Sequence, residues 1–293
     1  VYFLFLPVNM KTDKELLHQF IANALTEDIG DGDHTSLSTI PKDKQGRAKL
    51  LIKEDGVVAG IEVALEIFKH VDADLNVEVL IKDGAEVKYG DVVLIVSGSA
   101  RSILTAERLM LNTMQRMSGI ASTTRRIANL LKDTDTQVLD TRKTTPNMRF
   151  LEKLAVKIGG GVNHRFGLYD MILIKDNHVD YAGGIKEALN AAKKYIQEND
   201  KIIQIEIEVR NLIELAEVIV CGEVDRILLD NFAFDTLKEA VKLIDGRFIT
   251  EASGGITEAN VLEYALCGVD YVSMGALTHS VKSLDMSLKA VEN

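Results

Sequence analysis

From Gln137 onward the chain alternates between short runs of consecutive apolar residues and longer segments with apolar residues at every third or fourth position. The short runs are QVLDTR, MILIKDN, IIQIEIEV, RILLDN, FITEAS and YVSMGA; segments such as GIKEALNAAKKYI and NLIELAEVIVCG separate them. Runs this uniformly apolar are strands buried on both faces, and helical periodicity between them predicts a parallel sheet flanked by helices. Such an alternation is built from successive βα units. A polar residue closes each of five runs at its C-terminal end: Arg142, Lys175, Glu208, Asp230 and Ser253. Barrel enzymes carry their chemistry at that end. No G-x-G-x-x-G follows the first strand, as a dinucleotide-binding sheet would require. Six strands are readable where a closed barrel has eight, which predicts an open or incomplete α/β barrel with parallel strands.

The first hundred residues have a different texture. A helical opening, Lys14 to Leu25, leads into the Gly/Asp-rich loop EDIGDGDHTS at 27–36. RAKLLIKEDG, LNVEVLIKDG and DVVLIVSGSA then read as β-branched strands bounded by Gly or Asp, with helical GIEVALEIFKHV between them. These elements predict a mixed antiparallel α/β sandwich. DGAEVKYGDVVLIVSG resembles hammerhead domains of the lipoyl type, although no lysine stands at the turn that lipoylation needs. A long helix, Leu104 to about Leu131, is interrupted only by Ser118-Gly119. The expected division is 1–115 for the hammerhead-like sandwich and 116–280 for the barrel. A C-terminal helix at 281–293 is expected to pack back on the first domain. VYFLFLPVNM is too short to span a bilayer and lacks a basic leader, so it reads as an extension before a start at Met10.

Charge changes the picture in one place. The formal net charge of -10 argues against broad nucleic-acid binding. Two cysteines, Cys221 and Cys267, match no metal motif, and a reducing cytoplasm is the expected compartment, with no membrane attachment. Against this acidic background Arg142, Lys143, Arg165 and Lys175, with His164 and His279, would line the barrel mouth with positive charge. Guanidinium forks suit carboxylates, and lysines suit phosphates. Glu208 and Asp230 suit ribose hydroxyls or a Mg2+ that bridges phosphate oxygens. Ser253-Gly254-Gly255, with a helix starting near Thr257, and Gly275-Ala276 would offer backbone N–H groups to a phosphate. One strand-end cation alone is most often a solvated charge. Five such ends in one constellation point to an active site for small anions.

TRKTTP, GGGVNHRFGLYDMILIKDNH, LLDN, SGGI and MGALTHS, in this order, resemble quinolinate phosphoribosyltransferase (nicotinate-nucleotide pyrophosphorylase, carboxylating). EDIGDGDHTS and AERLMLNTMQRMSGIAS are similar to that family's N-terminal signatures, and the resemblance runs from about Leu16 to Ser280. It implies a glycosyltransferase of de novo NAD biosynthesis that joins quinolinate to phosphoribosyl pyrophosphate, with Mg2+ as cofactor. It assigns Arg108, Arg142, His164, Arg165 and Lys175 to quinolinate, with Arg108 supplied by a neighbouring subunit. Lys143, Glu208, Asp230, Ser253, Gly254, Gly255, Gly275 and His279 fall to phosphoribosyl pyrophosphate. Lys143, Lys175, Glu208 and Asp230 are the expected catalytic set, and Glu208 and Asp230 the expected metal carboxylates, directly or through substrate. A homodimer with shared sites follows from Arg108, with hexamers left open. One departure is Asn147, where many family members have Gly; Asn tolerates unusual backbone angles better than most residues, so the turn is expected to survive. Alternative readings are a transferase for another pyridine, a Schiff-base aldolase using Lys175, and a non-catalytic nucleotide-binding protein.

Overall fold

A computed structural model describes residues 13–291, so the expectations for VYFLFLPVNM lie outside the described residues. The first half runs α1 Asp13–Ile29, α2 His34–Thr39, β1 Gln45–Ile52, β2 Gly56–Val57, α3 Ile61–Val71, β3 Asn76–Val79, β4 Glu86–Val87, β5 Val92–Ser99 and α4 Ala100–Leu131. Then follow β6 Gln137–Leu139, α5 Arg149–Gly159, β7 Met171–Ile174, α6 Asp176–Ala182, α7 Ile185–Glu198, β8 Gln204–Val209 and α8 Leu212–Cys221. The chain closes with β9 Arg226–Asp230, α9 Phe234–Ile244, β10 Ile249–Ser253, α10 Val261–Ala265, β11 Tyr271–Ser273, α11 Ala276–His279 and β12 Met286–Ala290.

The described residues divide into two compact units. One comprises residues up to Ser122, Thr145–Gly159 and the stretch from Val281; the other comprises Thr123–Thr144 and Gly160–Ser280. The division therefore falls later than 115, and α5 joins the first unit although it follows β6 in sequence. Within that unit the four-stranded sheet has the order β12-β1-β5-β3 and is antiparallel throughout. Along β1 every second residue from Ala48 is buried, as period-two patterning dictates for a sheet with one face on a core. The helix expected at 281–293 is corrected by the structure: Met286–Ala290 is a strand that pairs with β1 from Ala48 to Ile52. MSLKA alternates buried and less buried residues, and the unpaired edge of β1 gives it a partner.

The Ser118-Gly119 interruption of α4 is a packing seam. Ser118 Oγ accepts from Ala59 N at 2.9 Å, and Ser122 Oγ accepts from Val57 N at 2.8 Å. A Cβ on Gly119 would sit 2.2 Å from the Lys282 carbonyl oxygen, so only glycine lets that chain cross the helix. Gly119→Ala is expected to cost about 1–3 kcal/mol at least, because backbone must move on both sides. Urea unfolding, with unchanged stability for the exposed control Leu104→Ala, is the check.

EDIGDGDHTS is structural. Asp33 caps α2 by accepting from Ser36 N at 3.0 Å, and its other oxygen meets Thr105 Oγ1 on α4. Arg101 closes the other end of α2 by donating to the Leu37 and Ile40 carbonyls. The side-chain and backbone bonds to Ser36, with the Thr105 bond, hold the Asp33 carboxyl below its ordinary 3.8. A lowered native value stabilises the fold above 3.8, and that contribution is lost as pH falls through the native value. Asp33→Ala is accordingly expected to cost about 1 kcal/mol at pH 7 and progressively less below pH ~4. Denaturation of both proteins across that range reads this directly.

In the second unit six parallel strands stand in the order β6-β11-β10-β9-β8-β7. Every apolar run read from the sequence is one of these strands. β6 and β7, consecutive in the chain, occupy opposite ends of the sheet, and Val162 adds a single parallel bridge to Leu139 beyond β6. The ring is thus open between Val162 and β7. The helix expected from Thr257 begins only at Val261, because Thr257 N is taken by Asn260 Oδ1 in a turn.

Candidate active site

Strand register decides what reaches the mouth of the open barrel. Successive residues of a strand point to opposite faces, so Glu206 and Glu208 of β8 share a face. Leu173 of β7 is in register with Glu206, and Leu228 of β9 with both Glu208 and Glu251. The upper members of these rows are Lys175, Glu208, Asp230 and Ser253. Lys175 Nζ donates to Glu208 Oε2 at 2.8 Å; the carboxylate is buried while the lysine is half exposed. The backbone of Lys175 is fixed in turn, since its N–H donates to His178 Nδ1 at 3.0 Å. This accounts for the KDNH order.

Asp230 is clamped on both oxygens. Ser253 Oγ donates to Oδ1, and Asn231 Nδ2 donates to Oδ2 at 2.6 Å. Asn231 adopts φ 56°, and a Cβ on Gly254 would fall 2.1 Å from its Oδ1, so the glycine after Ser253 is required by the clamp. Gly255 also has positive φ, as a sharp turn of exposed backbone needs. Across from this turn, Lys143 and His279 flank Gly275: an added Cβ there would meet Lys143 Cδ at 2.9 Å and His279 Cδ2 at 3.0 Å. Buried Thr278 donates to the Lys143 carbonyl at 2.9 Å, tying the segment after β6 to α11.

The arginines are placed by Asp140, a fully buried residue at the end of β6. Its Oδ1 accepts from His164 N at 2.8 Å and its Oδ2 from Asn163 Nδ2 at 2.7 Å. The NHR loop is thereby fastened to the strand that leads into Arg142. Asp170 folds the following FGLYD loop back by accepting from Phe166 N and Gly167 N. Arg165 then spans the open side of the barrel, donating Nη1 to the Met171 carbonyl at 3.1 Å. Burial, and then repulsion from Arg142, lowers the Arg165 guanidinium below its ordinary value. Two guanidiniums near each other in a half-buried site have the charge that a dianion would balance.

His164 is not at the mouth. It is buried, and its Nε2 lies 2.9 Å from Glu206 Oε2 and 3.4 Å from Glu251 Oε2. Its Nδ1 accepts from Arg165 N at 2.7 Å. Arg226 Nη1 donates to Glu251 Oε2 at 3.1 Å, and the Arg226 guanidinium stacks 4.8 Å from the Tyr271 ring centre. His164, Glu206 and Glu251 could offer three ligand atoms to a metal, but the Arg226 guanidinium already occupies the Glu251 oxygen. Of the residues named from sequence, Arg142, Lys143, Arg165, Lys175, Glu208, Asp230, Ser253, Gly254, Gly255, Gly275 and His279 all belong to this unit, while Arg108 is exposed on α4 in the first. Asp140, Asn163, Asn231, Glu206, Arg226, Glu251 and Thr278 join the arrangement without a site role read from sequence. Asn163, Asn231 and Thr278 lie within the motifs GGGVNHRFGLYDMILIKDNH, LLDN and MGALTHS; the others carry no local signal.

Asn147 adopts φ 64°, so the turn after TRKTTP keeps its left-handed residue without glycine. Family models for the N-terminal and C-terminal domains of quinolinate phosphoribosyl transferase match residues 33–118 and 120–289. Quinolinate phosphoribosyltransferase [decarboxylating] 1b of Nicotiana tabacum is 47% identical over 281 residues, 91% of this chain and 80% of the relative. The probable nicotinate-nucleotide pyrophosphorylase [carboxylating] of Bacillus subtilis (strain 168) is 43% identical, over 94% of this chain and 92% of its own. The crystal structure of NadC from Streptococcus pyogenes superposes with a TM-score of 0.90 at 39% identity, covering 97% of this chain and all of the other. With both domains matched and the fold shared over 97% of its length, the chain belongs to the quinolinate phosphoribosyltransferase family.

Proposed function

We propose that this site joins the ring nitrogen of quinolinate to the anomeric carbon of phosphoribosyl pyrophosphate, releasing pyrophosphate and CO2 and leaving nicotinate mononucleotide. The observation that carries the reading is the Arg142–Arg165 pair, two repelling guanidiniums that suit adjacent carboxylates of one ring. Lys143 and the glycine turns after β10 and β11 suit the phosphoryl groups. Asp230, held rigid by Ser253 and Asn231, is suited to the ribose, where oxocarbenium-like charge develops as pyrophosphate leaves. Glu208 and Asp230 present hard oxygen donors with free lone pairs, and Mg2+ held there would neutralise the departing pyrophosphate. Once the ring nitrogen is alkylated, the pyridinium takes up the electron pair of the C2–carboxylate bond. CO2 leaves, and a proton replaces it on that carbon. Lys175 paired with Glu208 is positioned by that ion pair rather than poised as a free amine, which disfavours the aldolase alternative.

The partner assembly is a homodimer in which Arg108 of one subunit completes the site of the other. Co-expressed Arg108→Ala and Lys143→Ala subunits are expected to regain activity in mixed dimers, and verified mixed dimers without rescue would count against sharing. Purified protein with Mg2+, phosphoribosyl pyrophosphate and quinolinate is expected to release CO2 and form nicotinate mononucleotide. Turnover of nicotinate in place of quinolinate would refute the carboxylating assignment. Among the described residues no helix is long and apolar enough to cross a membrane.

A further inference from the structure

Beneath the mouth lies a group of ionisable side chains that the proposed reaction does not use. Glu206 on β8 and Glu251 on β10 are almost fully buried, on the two strands that flank β9 and its Arg226. Burying two carboxylates is costly unless each is paired and bonded. The compensation comes from Arg226 on Glu251, from the nearby Arg165 guanidinium acting on Glu206, and from the ring of His164 between them. The ring is bonded at both nitrogens. Nε2 faces carboxylates and must carry a proton. Nδ1 accepts the Arg165 amide proton and must keep its lone pair.

Two influences on the ring oppose each other. Burial disfavours charge on it, whereas the bonds to Glu206 and Glu251 favour charge. Protonation at Nδ1 would set two donors 2.7 Å apart at the Arg165 amide. The amide bond decides for a neutral ring with its proton at Nε2.

We propose that His164, Glu206, Glu251 and Arg226 form a buried positioning network that fixes the backbone at Arg165 and so aims the guanidinium at the substrate's carboxylates, without His164 touching substrate. Glu206 and Glu251 orient the ring, the ring receives the Arg165 amide, and Arg165 reaches across the barrel opening to Met171. Glu206 Oε1, buried and without a hydrogen-bond partner, shows that the carboxylate is spent on orienting the ring at some expense.

This inference rests on the proposed function only for the identity of the dicarboxylate. Nitrogen-15 spectra of the histidine rings in the intact wild-type protein, with His164 identified by its loss in His164→Gln, are expected to show Nε2 protonated and Nδ1 bare at pH 7. A ring protonated on both nitrogens, or at Nδ1 alone, overturns the network whether or not quinolinate is turned over. In kinetics, Glu251→Gln is expected to raise KM for quinolinate about tenfold while KM for phosphoribosyl pyrophosphate stays within about twofold, and to add under about twofold in an Arg165→Ala background. Unchanged KM, equal effects on both substrates, or full additivity with Arg165→Ala would each refute action through Arg165. Should Glu251→Gln fail to fold, the wild-type tautomer decides alone.

Discussion

Arg165→Ala is expected to lower kcat/KM for quinolinate by about 10²- to 10³-fold, the equivalent of roughly 3–4 kcal/mol for stranding a carboxylate without its charged partner. The effect combines two losses. In the proposed complex the dianion would lose one of its two guanidiniums, and the open side of the barrel loses the bond from Nη1 to the Met171 carbonyl. Arg165→Lys separates them: a lysine restores charge but not the planar fork, so most of the defect should persist. Steady-state kinetics with each substrate varied in turn provide the check. A KM for phosphoribosyl pyrophosphate that rises as much as that for quinolinate would show that Arg165 serves the fold of the site rather than the dicarboxylate.

The largest stability effect is expected at Glu152. This carboxylate on α5 is fully buried; its Oε1 accepts from Arg116 Nε and Nη2 at 3.1 and 2.9 Å, and its Oε2 accepts from Thr145 N at 3.1 Å. Arg116 also reaches the Val281 carbonyl through Nη1. Three separate stretches of the first unit are joined at this point. Glu152→Ala leaves a guanidinium and an amide without their acceptor and is expected to cost about 3–5 kcal/mol. Tm should fall by on the order of 10 °C. Glu152→Gln, which keeps an acceptor but not the charge, should lie between the two. A Glu152→Ala protein that melts with the wild type would mean that water replaces the carboxylate.

The clamp on Asp230 and the network under Arg165 use the same device, a polar group that fixes a candidate site side chain through its backbone or one of its oxygens. Asp140 does so for the NHR loop, His178 for Lys175 and Thr278 for Lys143. Sites of this kind work by placement, since the chemistry consists of holding two anions in line while charge moves between them.

The sequence by itself determined the strands, their parallel arrangement and the residues at their C-terminal ends. Those features are local: burial on both faces forces an uninterrupted apolar run, and the end of the run exposes the next polar residue. It also determined the left-handed turn at Asn147, where a residue type tolerates the conformation. Tertiary structure alone decided three things. Met286–Ala290 is a strand because a free edge of β1, more than 200 positions earlier, offers it hydrogen bonds that its own periodicity cannot announce. Ser118-Gly119 is a seam rather than a break because two other chain segments pack against it. His164, read from sequence as one more cation of the mouth, turns inward because Glu206 and Glu251, 42 and 87 positions away, present buried oxygens to its ring. Periodicity reports what a residue's own element requires, whereas a buried ionisable group is placed by partners that the fold brings from elsewhere.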